Sequence, residues 1–423
     1  INSLDTTYRD LSLVTGSGNV SVTGIIGADD KLDVLTVNNT GTLTLSAATT
    51  VNTLTLTQTG GTTIGGTLTA TTINLTDTTD ATDIIFNGNV SATTLNTAAE
   101  GYNVIFNGTT STITNLVTFS NSGSVTFGNG TGDTTTFTGG VTATAPSQVN
   151  LAGTIQTTNN TMSLGDAGTP IVLTANTILS GNTAGAITLG GTVNGAYSLT
   201  VNTTGDTTFT LAVGNTTALT TLTTNASGTT YINGGAITTS STQTYGDAVV
   251  LGADTTLTTT DSNITFSSTV DSDGTARDLT IDMDNGDGAD GTVQFINTIG
   301  ANDDLDVIDI TGNLNLDAAI SNTTSLEVSG TSNLGANVTT SSTQTYTSGV
   351  TLSGADRTLT ASIVNFGSTL AGGTNGLTIT GNLDLDGAAT GLTTLEVSGT
   401  SNLGADVTTS STQTYTSGVT LSG

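Results

Sequence analysis

Cysteine, histidine and tryptophan are absent from this chain, and only Arg9, Lys31, Arg277 and Arg357 carry positive side-chain charge in 423 residues. Each shortage closes a class of chemistry. Without cysteine there are no disulfides, thiol nucleophiles or thiolate metal sites. Without histidine the most frequent general base is missing. Four cations against 33 acids give a net charge of −29. Nucleic-acid binding by counterion displacement needs the opposite balance, and anionic membrane surfaces repel such a chain. No apolar run approaches the roughly 20 residues of a membrane helix. No basic segment followed by an apolar stretch opens the sequence, so a secretion signal is expected to have been removed or to lie outside it. Divalent cations and cationic surfaces remain as partners.

Threonine fills the gap: 105 of the residues are Thr, and 54 are Gly. Charged residues make up 9%, against about 25% in a typical globular domain. Disordered chains share that polarity but are poor in β-branched residues, whereas Thr, Val and Ile dominate here and suit pleated, half-buried surfaces. Period-2 alternation is plain at Leu35 and Val37, Leu43 and Leu45, Leu54 and Leu56, and Ile73 and Leu75. It predicts short strands with one apolar face. Asn-Gly, Gly-Gly and Ser-Gly pairs punctuate them as turns. No stretch has the 3.6-residue period of an amphipathic helix.

The spacings select a coil. Asp83-Ile84-Ile85-Phe86-Asn87-Gly88 recurs as Asn103-Val104-Ile105-Phe106-Asn107-Gly108, and Phe127 follows Phe106 at nearly the same interval. One turn of a parallel β-helix takes about this length of chain, so the three rings should stack in the core. Thr324–Gly354 returns at Thr393–Gly423, 69 positions later, changed only from Ser325 to Thr394 and from Asn337 to Asp406. The string TTSSTQTY starts at Thr238, Thr339 and Thr408, spacings of 101 and 69. Such self-similarity marks repeat architectures. The reading is an all-β parallel β-helix with about 20–23 residues per coil, the 69-residue unit dividing into three coils of 23. Residues 1–237 form irregular coils and 238–423 the regular ones. The excess of the longer spacing over the shorter corresponds to one more coil and a loop, the acidic stretch 282–291. On the order of 18 coils at ~4.8 Å would span roughly 90 Å, with open strand edges at both ends that invite association. The chain stops partway through a repeat, so a longer molecule is expected.

The string from Ser241-Thr242-Gln243-Thr244-Tyr245 to Thr258, followed by Ile264-Thr265-Phe266, resembles the repeats of filamentous-haemagglutinin-like bacterial surface proteins. Val364 to Leu370 matches the second part of that unit, and Ser325-Leu326-Glu327-Val328-Ser329-Gly330 is similar to another strand and turn of it. The resemblance is clearest over 238–423. Ile299 to Val307 echoes Ile26 to Val34, which places a related unit in both halves. The resemblance implies a right-handed parallel β-helix, in keeping with the rule for parallel crossovers. It also implies export to a bacterial cell surface and a role as adhesin, fibril or surface layer. The Asn-Pro-Asn motif of the secretion domain carried by many such proteins is absent.

Candidate sites are few. Asp282, Asp284, Asp287 and Asp290, interspersed with glycine, could offer oxygen ligands to Ca²⁺. Gly286 stands where an EF-hand would place its third acid, and Val293 where it would place the final Glu; a solvated insertion is the competing reading. Residues 271–317 hold 12 of the 33 acids and one cation, Arg277, a density that repels itself unless neutralised. A lyase or hydrolase would need paired carboxylates or a cation acting with calcium. Asp303, Asp304 and Asp306 are clustered acids, and Lys31 and Arg277 are cations; surface decoration is the stronger reading. Asp384 and Asp386 alternate with leucines as outward acids. Asn-x-Thr triplets such as Asn107-Gly108-Thr109 arise by chance at this composition. Tyr245, Tyr346 and Tyr415 recur at one repeat position, as an exposed ladder or, more in keeping with the sequence, a structural element at a coil corner. The expected function is an extracellular, non-enzymatic structural protein that assembles with copies of itself. The alternative is the stalk or adhesive part of a larger adhesin. Surface carbohydrate is the other expected partner; nucleic acid and membrane insertion are not expected.

Overall fold

A computed structural model describes residues 1–3, 9–76, 78–225, 227–286, 288 and 290–422. Every regular element among them is a strand, and the pairings between strands are parallel. They stack as a β-solenoid of about 19 turns. The contacts divide the chain into two compact units, Ile1–Thr217 and Ala218–Gly423. The boundary expected at 237/238 falls inside the second.

In the first unit Leu35, Leu54 and Ile73 lie one above another at equal steps along the chain. Ile84, Val104, Val125 and Val149 also stack, but at steps that lengthen from one coil to the next. Strands hold register while the corners absorb the variation, because only the inward alternate residues must meet. Phe86, Phe106 and Phe127 are in register and fully buried, with ring centroids 5.1 and 6.1 Å apart. Phe119, just past the strand Val117–Thr118, and Phe137 close the cluster from the other sides, Phe137 meeting Phe127 edge-on at 5.2 Å.

The second unit is three-sided. Face A stacks Gln243, Ile264, Val293, Leu314, Ser332, Val350, Leu370, Ala389 and Val407. Face B stacks Ile281, Ile310, Val328, Tyr346, Phe366, Leu385, Leu403 and Leu421. Face C stacks Val249, Val270, Ile299, Ile320, Val338, Leu359, Ile379, Val397 and Tyr415. From Ile320 the chain starts a new side every six residues, at Leu326, Ser332, Val338, Gln344 and Val350. In a six-residue side such as Ser332-Asn333-Leu334-Gly335-Ala336-Asn337, the first and third residues point inward and the second outward. The remaining three turn the corner.

This geometry corrects the division of the 69-residue repeat. Along face A the chain passes from Ser332 through Val350 and Leu370 to Ala389, completing three coils. The counterpart Ser401 is two sides further, on face B. The repeat therefore spans three coils and two thirds of a fourth, not three coils of 23. Near-identical sequence sits on a different face in each copy: Gln243 on A, Gln344 on B and Gln413 on C. The 101-residue spacing contains one further coil. It holds the acidic insertion, which makes the step from Ile264 to Val293 longer than the steps on either side of it.

The echo between Ile26–Val34 and Ile299–Val307 is a shared corner. Ile26 bridges singly to Thr49, and Ile299 singly to Val270 and to Ile320. The glycines after them, Gly27 and Gly300, have φ of +72° and +65°. A Cβ there would also run into the carbonyl of Thr50 or Ser321 on the adjacent coil, so both constraints require glycine.

Phe106→Ala should cost about 3–5 kcal/mol, the range for an emptied aromatic site, measured as a lower denaturation midpoint at unchanged slope. Tyr197, 40% exposed, should tolerate alanine within about 0.5 kcal/mol.

Candidate functional site

The TTSSTQTY string builds an internal polar device. Gln243 and Gln344 occupy inward positions and are fully buried, where an unsatisfied amide would cost about 1–3 kcal/mol. Each is satisfied instead. Gln344 Nε2 donates to the Val338 carbonyl at 3.1 Å and, one coil on, to the Thr360 carbonyl at 2.9 Å. Its Oε1 accepts the Tyr346 hydroxyl at 3.3 Å. Gln243 repeats this with the carbonyls of Ile237 and Thr258 and the hydroxyl of Tyr245, at 3.3, 2.9 and 2.8 Å. The device ties together two successive strands of the neighbouring side. Tyr245 and Tyr346 lie on different faces and are fully buried, so the tyrosines form no exposed ladder and sit in strands, not at corners. Burial alone drives both phenols far above their ordinary range. Each stacks on a phenylalanine of the next coil, Tyr245 on Phe266 at 5.0 Å and Tyr346 on Phe366 at 5.5 Å.

The acidic insertion hangs from face B. Asp282 closes the strand Arg277–Asp282, in register between Thr258 and Thr311, and Met283 beside it is fully buried. Asp282 Oδ1 accepts the Asp284 amide at 3.3 Å, and Asp284 Oδ1 accepts the Gly286 amide at 2.6 Å. Asp290 turns its main-chain carbonyl to Asn313 Nδ2 at 3.1 Å. Asn285 ties the loop to the preceding coil through Asp261, which accepts from its amide nitrogen at 3.1 Å and from its side chain. Asp287 lies outside the described residues. Among the described residues no three His, Cys, Asp or Glu side chains gather as a metal-holding group.

The remaining acids are dispersed. Arg277 pairs with Asp273 at 2.9 Å and holds its carboxyl below the usual range. Lys31 lies in the first unit and Arg277 in the second. Asp304 lines a surface hollow with Asn322 and Thr339, while Asp306 lies on the strand Leu305–Thr311. Asp384 accepts from Asn402 Nδ2 at 2.8 Å, one rung of an outward ladder. Three buried acids escaped the sequence reading because nothing in their spacing announces them. Asp133 caps the Asn129 and Gly130 amides at 2.8 and 2.9 Å. Asp247 accepts from Gly228 N at 2.9 Å and the Thr230 hydroxyl at 3.1 Å. Asp271 accepts both the backbone and side-chain amides of Asn302, at 3.0 and 2.9 Å. All three tie corners down.

Comparison with protein-family models, curated proteins and solved structures finds no match. The function must therefore be argued from the geometry.

Gln344→Met keeps the volume and removes the amide. It should destabilise the second unit by about 1–3 kcal/mol, the cost of two orphaned carbonyls and a buried hydroxyl. Gln413→Met, in the exposed last coil, should cost less; chemical melts of both variants check this. Tyr102 adds a pH dependence. Its hydroxyl donates to the Leu75 carbonyl at 2.9 Å, and burial raises its pKa from 10.0 to about 12. The unfolded chain loses this proton near pH 10 while the folded chain keeps it. The stability it adds is therefore complete below about pH 10 and lost as pH rises towards 12. Melting temperatures from pH 8 to 12 should fall only above 10, and less steeply in Tyr102→Phe.

Proposed function

We propose that the chain is a non-enzymatic extracellular structural protein, a length-giving element of a bacterial surface filament or surface layer. The resemblance to filamentous-haemagglutinin-like repeats supports this reading. The observation that carries it is the two-thirds turn between near-identical repeats. A six-residue side that fits any of three faces lets a chain lengthen by duplication without any new corner or core. Enzymes and receptors depend on a unique constellation at one place; a spacer or polymer depends on an interchangeable unit. Continuous backbone ladders then resist bending and local opening, since most described strands pair with neighbours above and below. Divalent cations would relieve the self-repulsion of the acid-rich stretch 271–317.

Two measurements test the reading. Electron microscopy of the purified chain with calcium should reveal assemblies, and their loss on chelation would tie the acidic insertion to the contacts. Monodisperse particles under both conditions would refute self-assembly. A chain carrying a second tandem copy of residues 355–423 should fold cooperatively with the same β-signal per residue. It should add three and two-thirds coils, about 18 Å of stack at ~4.8 Å per coil. A loss of cooperativity would refute the interchangeable unit.

The stalk or adhesive alternative is favoured by one observation: the strands of face A carry no charge.

A further inference from the structure

Face A of the second unit differs in charge from the face beside it. Its strands Gln243–Tyr245, Ile264–Phe266, Thr292–Phe295, Asn313–Leu316, Ser332–Leu334, Val350–Leu352, Leu370–Ala371 and Ala389–Leu392 contain no acid or base. Face B, by contrast, turns out Asp309, Glu327 and Asp384. In a chain of net charge −29, these eight strands carry no carboxylate of their own; Asp317, just past Leu316, reaches the face, its carboxylate accepting from Gln294 Nε2 at 2.7 Å.

That surface is also concave. A groove of about 630 Å³ runs along it, lined by Asn263, Asn313, Asn315, Asn333, Thr351 and Thr369 among others. These residues span five coil steps, about 24 Å at ~4.8 Å each, so the groove suits an extended chain and not a compact molecule. Amides and hydroxyls both donate and accept, the chemistry that recognises sugar hydroxyls. The side-chain ladder inside the groove is incomplete. Asn333 Nδ2 donates to Asn315 Oδ1 at 2.7 Å, and Asn313 Oδ1 accepts both the amide and the hydroxyl of Thr331, at 2.9 and 2.7 Å. The Asn315 amide group and the Asn333 oxygen are left to an incoming partner. Long-range repulsion by the rest of the chain disfavours polyanions.

We infer that the face A groove binds a strand of neutral polysaccharide lengthwise, through the side-chain amides and hydroxyls of successive coils. This goes beyond the structural role and does not depend on it: filaments could form without the groove, and the groove could bind without filaments.

The test is affinity electrophoresis of the full chain through gels containing a soluble β-1,4-glucan, β-1,3-glucan, mannan or galactan, with polygalacturonate as the charged counterpart. At least one neutral polymer should retard the chain, and polygalacturonate should not. Thr351→Asp places a carboxylate in the groove at an exposed, outward position. It should weaken binding about tenfold or more, equivalent to about 1.4 kcal/mol. Thr369→Asp, one coil on, should repeat the effect should the first variant melt early. Thr360→Asp makes the same change on face C and should leave retardation within about twofold. No retardation by any neutral polymer overturns the inference. So does preference for polygalacturonate, or equal weakening by the groove and face C variants.

Discussion

Everything in this molecule depends on the parallel backbone ladder between successive coils. Once each strand is hydrogen-bonded in register above and below, its side chains have no freedom of placement. Alternate residues go to the core and the rest to the outside. Similar side chains then meet like with like at the inter-strand spacing, which is how Phe86, Phe106 and Phe127 come to stack. Outward, the same rule produces amide ladders such as Asn96 on Asn74 and Asn107 on Asn87, at 2.8 and 2.9 Å. A chain with so few charges still gains specificity of register, because a one-residue slip would move every Leu, Val and Phe to water.

Polar groups inside the solenoid obey a second constraint: each needs a hydrogen-bond partner within the stack. Gln344 meets it with two carbonyls and a tyrosine hydroxyl. Asp133 and Asp271 meet it with corner amides. Ser332 and Ser401, at the same inward position of the two repeat copies, do not: their hydroxyls are buried without a hydrogen-bond partner. The repeat carries that cost in both copies and on two different faces, which ties it to the sequence unit and not to one location in the stack.

The two functional readings draw on different sides of the same strands. The structural role rests on the inward residues and corners, which are interchangeable among faces. The proposed glycan groove rests on outward residues, where no packing rule enforces interchangeability and charge is free to segregate. The molecule can thus keep one scaffold and vary its surfaces face by face.

Local residue chemistry was sufficient for the fold class. Period-2 alternation, Asn-Gly turns and the near-constant spacing of Phe86, Phe106 and Phe127 specify short stacked strands and the aromatic core, because both follow from which neighbours a strand must meet. The stretch 282–291, rich in Asp and Gly, falls where the step from Ile264 to Val293 lengthens, and within it Met283 is nonetheless buried. Coil phase was not legible. A spacing of 69 divides by 23, yet the six-residue side divides the coil in three. Only the stacked register shows Gln243, Gln344 and Gln413 on three different faces. The burial of the tyrosines, the corner roles of Asp133, Asp247 and Asp271, and the charge-free groove likewise depend on the tertiary stack. Several of these bring together residues a full coil apart, and no local pattern encodes that distance: corner lengths vary, and each extra corner residue shifts everything after it.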